Sequence, residues 1–252
     1  MASQSLDDGK KEENEIIEEV LKMKNKRLMG IIGLIAAAVI GTAIYSATAG
    51  KDNKAASSNE KAKVGVLQLV SHPSLDLIYK GIQDGLAEEG YDKDKVDIDF
   101  LNAEGDQNKV ATMSKQLVDK DNQVLIGIAT PSAQGLASAT KDKPIVMGAV
   151  TDPVGANLVK DLKKPGGNIT GVSDHNPTEQ QLKLIKELTP NVKTIGILYS
   201  TSEDNSKSQV EEFTKLAEKA GYKVVPYSVP STNEIASTVS VMSGKVDAIW
   251  VP

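Results

Sequence analysis

Two histidines, His72 and His175, and not one cysteine make up this 252-residue chain's stock of ring nitrogens and thiols. Thiolate catalysis, disulfides, Cys-based zinc sites and a lipidated cysteine are therefore excluded together. A metal site would have to rest mainly on carboxylates, so neither metal nor cofactor is expected. The chain has no G-x-G-x-x-G after its first apolar run, no G-x-x-x-x-G-K-[ST] and no G-x-S-x-G, and no nucleophile stands paired with a base. No catalytic residue is expected, and the chain is not expected to be an enzyme. What remains is a set of polar residues that end apolar runs. Ile145 to Val150 stops at Thr151-Asp152-Pro153, and Ile169 to Val172 stops at Ser173-Asp174-His175. Both read as buried strands running into polar loops, which would turn Asp152 and Asp174 toward whatever lies between two lobes.

The elements that would position them come in a regular order. Lys63 to Val70 reads as a strand broken by Ser71-His72-Pro73, and a helix carries Leu75, Ile78, Ile82 and Leu86 at helical spacing, with Pro73 in its first turn and Gly90 at its end. Val96 to Leu101 is a second strand. Asp106 caps a helix bearing Val110, Met113 and Leu117; Gln123 to Ala129 is a strand apolar on both faces; and a helix begins at Thr130-Pro131-Ser132-Ala133. Alternating strands and helices demand parallel pairing with right-handed crossovers, hence a doubly wound α/β sheet. Ligands of such sheets sit at the carboxyl ends of the strands, here Ser71-His72, Asn102-Ala103, Thr130-Pro131 and Thr151-Asp152.

After Asp174 the same order restarts. Asn176 and Glu179 read as a capping pair for a helix with Leu182, Ile185 and Leu188. Then come a strand over 193–199, a helix over 206–220, a strand over 223–227, a helix opened by Ser231-x-x-Glu234 and a strand over 246–251. Gly65 and Gly196, and Gly90-Tyr91 and Gly221-Tyr222, are each 131 residues apart. That register is the mark of a duplicated lobe. The strand that ends Ala129-Thr130-Pro131 would correspond to Ile249-Trp250-Val251-Pro252, so the second lobe is expected to be incomplete.

Ahead of the lobes, Leu28 to Ala49 is an uncharged, mostly apolar run of 22 residues, long enough to cross a hydrocarbon core of roughly 30 Å. Lys22, Lys24, Lys26 and Arg27 flank it, which places residues 1–27 in the cytoplasm and the globular part outside. A retained anchor over 28–49 is favoured; a signal cleaved after Ala47-Thr48-Ala49 is the alternative. Residues 50–62 have the composition of a flexible linker, 63–175 form the first lobe with its crossover, and 176–252 form the second. A formal net charge of -5 gives no reason to expect nucleic acid as a partner.

At HPSLD (72–76), TPSAQ (130–134), VTDPVGANLV (150–159), PGGNITGVSD (165–174) and SEDNS (202–206), the sequence resembles the ABC-transporter substrate-binding family that includes tryptophan- and tyrosine-type binding proteins. The resemblance implies a two-lobed, Venus-flytrap fold of the type I periplasmic-binding-protein kind. Such a protein, expected to be monomeric, closes on an amino acid, often aromatic, and delivers it to an ABC permease and its ATPase. The start of the helix at Thr130, Ser132 and Ala133 would offer unpaired N–H groups to the ligand carboxylate. Asp152, with Asp174 second, would meet the ammonium. Ser71, His72 and Asp76 from the first lobe and Asn205 and Ser206 from the second would complete the ligand shell, and Tyr199 and Trp250 would face the cleft. A ligand-sensing receptor ectodomain, or a binding protein for another small polar solute such as a sugar, is the alternative.

Overall fold

The computed structural model describes residues 61–252. The expected leader, the anchor and nearly all of the linker lie outside the described residues, and among those described no helix is long and apolar enough to cross a membrane. The first lobe is a five-stranded parallel sheet of β1 (Ala62–Gln68), β2 (Val96–Asn102), β3 (Val124–Ile128), β4 (Ile145–Gly148) and β5 (Ile169–Gly171), in the order β2-β1-β3-β4-β5. The helices are α1 (Pro73–Glu88), α2 (Gln107–Asp119) and α3 (Thr130–Ala139). Because successive strand residues point to opposite faces, Val64 and Val66 join Ile82 and Leu86 of α1 in one core. Leu67, from the other face, joins Val110, Leu117 and Leu136 in a second.

Local chemistry fixes where the helices begin. The Asp106 carboxylate accepts N–H bonds from Asn108 and Lys109 at 2.7 and 3.3 Å, and His72 Nδ1 accepts one from Ser74 at 3.3 Å. A side-chain cap of this kind stabilises a helix by about 1 kcal/mol.

The second sheet holds β6 (Thr194–Ser200), β7 (Lys223–Val229) and β8 (Ala248–Trp250) in the order β7-β6-β8, all parallel. Around it lie α4 (Thr178–Leu188), α5 (Asp204–Lys219), a 3-10 turn (Thr232–Glu234) and α6 (Ile235–Met242). Its strand order reproduces β2-β1-β3 with corresponding strands. The duplication extends to single hydrogen bonds: Tyr91 N–H donates to Leu86 and Tyr222 N–H to Ala217, while Gly90 N–H donates to Ala87 and Gly221 N–H to Glu218. Gly90 and Gly221 have φ of 85° and 90°, the left-handed conformation in which a side chain is strained. β5 pairs with β4 in the first sheet, so the chain passes between the sheets over residues 172–177.

One expected cap is not formed. Pro177 occupies the N-cap of α4 without any side-chain bond, and the Asn176 side-chain amide donates to Gln209 Oε1 on α5 instead. A proline ring after Asn176 limits that residue to extended backbone, and its amide is turned toward the neighbouring helix.

The start of α3 lies directly on β3. A Cβ built on Gly127 would stand 2.7 Å from both the N and Cα of Ala133, which no rotamer change can relieve because the obstacle is backbone. Gly127→Ala is therefore expected to destabilise the first lobe by about 1–3 kcal/mol, the usual range for overpacking, read as a lower urea midpoint at unchanged m-value.

Candidate functional site

Parallel pairing sends all strands of a sheet out through one edge, and in both lobes those edges open onto one cavity. About 550 Å³ in volume, it is walled by Leu69 and Val70 after β1, Glu104 and Gly105 after β2, Tyr199, Ser200, Ser202 and Glu203 at and after β6, Val229 to Thr232 after β7, and Val251 and Pro252 after β8. Asn205 and Ser206 from the first turn of α5, with Ile235 at the start of α6, complete the second-lobe side. Among the described residues no Lys, Arg or His lines this space. Its polar walls are two carboxylates, the amides of Gln107 and Asn205, several hydroxyls and backbone.

Each carboxylate has its own circumstances. Glu104, exposed and at φ 55°, is ion-paired with Lys109. Glu203 sits half-buried at the N-cap of α5 and makes no side-chain cap bond. Burial pushes its carboxyl above the usual range, although a helix amino terminus ordinarily favours the charged form. Asp204 beside it is held below the ordinary carboxylate range by hydrogen bonds from Lys207 and Gln134. The Gln134 bond, 3.1 Å long, reaches across from α3 to α5 and so ties the two lobes. A longer contact, Gln107 Nε2 to the Ser202 carbonyl at 3.5 Å, does the same nearer the cavity.

Of the residues expected at the site, Asn205 and Ser206 line the cavity, and Asn205 Oδ1 is buried there without a partner. Tyr199 lines it as expected. Ser71, His72 and Asp76 form an exposed rim after β1, where the Asp76 carboxylate accepts from Ser71 Oγ at 3.1 Å and from the buried Gln68 Nε2 at 2.7 Å. Gln68 Oε1 is left buried and unbonded. Thr130, Ser132 and Ala133 are buried in the first turn of α3, and Ser132 Oγ has no partner. The residue before them, Ala129, has φ 72° and ψ 159°, a conformation almost reserved for glycine that costs about 1–3 kcal/mol. Asp152, half-buried, accepts the Gly155 N–H at 2.8 Å and closes its own turn. Asp174 is exposed, its N–H 3.4 Å from the Val150 carbonyl. None of Ser71, His72, Asp76, Thr130, Ser132, Ala133, Asp152 and Asp174 lines the cavity between the strand ends, so of the expected ligand shell only the second-lobe pair does.

Glu203 and the Pro230-Ser231-Thr232 turn are the wall residues that the strand-end reading passed over. The turn follows β7 directly, as Ser71 follows the first strand, whereas Glu203, three residues beyond β6, carries nothing in the sequence that sets it apart.

Residues 63–252 match the model of the family described as ABC transporter substrate binding protein. A tyrosine-binding protein of Clostridioides difficile is 41% identical over 230 residues, which cover 88% of this chain and 67% of that protein. Among solved structures, an ABC domain from Streptococcus pneumonia in complex with L-Trp is 76% identical and superposes with a TM-score of 0.75, covering 77% of this chain and 65% of that one. A substrate binding protein with adhesive properties from Clostridium difficile, in its ligand-free, open structure, is 42% identical over 76% of this chain and 65% of its own, with a TM-score of 0.56. The chain thus spans about two thirds of the length of these relatives.

Trp250 departs from expectation. Instead of facing the cleft it is 6% exposed, stacks on Phe213 of α5 with ring centroids 4.1 Å apart, and donates its indole N–H to Gln181 Oε1 of α4 at 3.1 Å. Residue alternation along β8 decides this: with Trp250 turned to the α4–α5 face, Ile249 takes the opposite one and is 42% exposed. Trp250→Ala is expected to cost about 3–5 kcal/mol of second-lobe stability, measured by denaturant unfolding followed by circular dichroism.

Proposed function

We propose, because the chain belongs to the ABC transporter substrate binding protein family, that it is the extracytoplasmic component of an importer that takes an aromatic amino acid between its lobes and hands it to a permease and ATPase. The observation that carries this reading is the cavity onto which the ends of β1 and β2 in one sheet and of β6, β7 and β8 in its duplicate open. Its support on the ligand side is the relatives' chemistry, tyrosine for one and L-Trp for another. Binding is the task that the family's description names, and a wall of hydroxyls, amides and carboxylates suits it.

In the shell we propose, the ligand carboxylate is drawn to the buried start of α3 at Thr130, Ser132 and Ala133, where no side chain caps the helix. Ser71, His72 and Asp76 stand at the rim after β1, Asp152 and Asp174 at the ends of β4 and β5, and Asn205 and Ser206 on the second lobe. Tyr199 offers a ring to the ligand side chain. The apolar run over 28–49 then holds the assembly on the outer face of the membrane.

Isothermal titration with the intact protein is expected to show binding of Trp, Tyr or Phe and none of simple sugars. Sugar binding with all three aromatic amino acids silent would overturn the reading. Cell fractionation is expected to leave the protein in the membrane pellet; a mature form beginning at Gly50 and free of the membrane would replace the anchor with a cleaved signal.

A further inference from the structure

The cavity has two carboxylates on its wall, and only one of them is already neutralised. Glu104 is paired with Lys109. Glu203 receives neither a hydrogen bond nor an ion pair among the described residues, and the rise in its pKa has burial as its single cause. With no Lys, Arg or His in the wall, nothing in the cavity itself balances that charge. A partly desolvated carboxylate on the wall of such a space is held in its charged form by a cation that reaches it.

A second acceptor stands on the same turn. Asn205, the second residue of α5, has its side-chain oxygen buried without a donor, while its backbone carbonyl is taken by Ser208 Oγ and Gln209 Nε2. The two free acceptors thus flank Asp204, whose bond to Gln134 brings this end of α5 against the first lobe. Asp152 is placed differently: one carboxylate oxygen holds the Gly155 N–H, and the side chain is not part of the wall.

We infer that Glu203, assisted by Asn205 Oδ1, receives the ammonium group of the ligand from the second lobe, which makes a primary ammonium the feature this cavity selects. The inference rests on the amino-acid reading of the cavity and assigns the ligand's orientation within it. An ammonium carries three N–H donors and one positive charge, which the carboxylate and the amide oxygen accept together. A ligand with a carboxylate and no ammonium would add a second uncompensated negative charge beside Glu203 and be repelled.

The test compares Trp, tryptamine, which lacks the carboxylate, and indole-3-propionate, which lacks the ammonium, by isothermal titration against the intact protein and its Glu203→Gln, Glu203→Asp and Asp152→Asn variants. Wild type is expected to bind Trp and tryptamine and to reject indole-3-propionate. Glu203→Gln should weaken both amine ligands by about 30-fold or more, the effect of removing one partner from a desolvated charge pair. Glu203→Asp should recover part of the loss. Thermal unfolding of each unliganded variant, unchanged from wild type, separates lost recognition from lost folding. If Glu203→Gln binds Trp like wild type, if Asp152→Asn alone loses the amine ligands, or if indole-3-propionate binds as tightly as Trp, the inference is overturned. Should wild type bind tryptamine in a Glu203-dependent way and no aromatic amino acid, the ammonium site stands and the amino-acid reading falls.

Discussion

Parallel strand pairing is the constraint from which the rest follows. A parallel strand cannot return by a tight hairpin, so each crossover must carry a helix or long loop back to the starting edge, and every strand of a sheet leaves through the same side. In this chain that happens twice, with the same strand order around β1 and around β6. Placing the two exit edges face to face gathers loops from five strands around one space, while apolar clusters behind them hold the sheets to their helices. Loop chemistry can then vary without disturbing the core that holds the loops in place.

The exit edges also concentrate what a stable core would avoid. Glu104, Ala129 and Ala149, with φ of 55°, 72° and 57°, follow β2, β3 and β4 in turn. Buried oxygens without partners occur at Gln68, the last residue of β1, at Ser132 in the first turn of α3, at Asn205 in the first turn of α5 and, away from the exits, at Ser114 within α2. Each such group costs about 1–3 kcal/mol when left unbonded. Three of these four lie at the ends of strands or at the helix starts that follow them, where strain and unmet hydrogen bonds persist because the surrounding packing holds them.

Much of this was legible from residue order. The alternation of strands and helices, the Asp106 cap, the glycines after α1 and α5 and the 131-residue register are local features, and the corresponding hydrogen bonds follow that register. Three things were not local. Asn176 has the right neighbour in Glu179 for a capping box, but Pro177 intervenes and Gln209, 33 residues away, takes its amide. Trp250 lies at a strand end, yet only the placement of Phe213 and Gln181 shows which face it takes. Glu203 reads as an ordinary acidic residue before a helix. Its distinction is the burial of its carboxylate and the absence of cations in the surrounding wall, and these arise only when two lobes far apart in sequence share a cavity.

The lobes stand close together, and the chain superposes better on its L-Trp-bound relative than on the open, ligand-free one. Yet the direct ties near the cavity are few. The Gln134–Asp204 and Gln107–Ser202 bonds are exposed, and exposed neutral or charge-assisted bonds of this kind contribute at most about 1–2 kcal/mol each once their exchange with water is counted. Against them stands the cost of closing a cavity on Glu203, whose charge loses water without gaining a partner. A cationic ligand that reaches Glu203 offsets that cost to the extent that closure desolvates the carboxylate. Differential affinity of this sort is what shifts a two-state equilibrium. The same unpaired carboxylate that opposes closure of the empty protein would then drive closure around a cationic ligand.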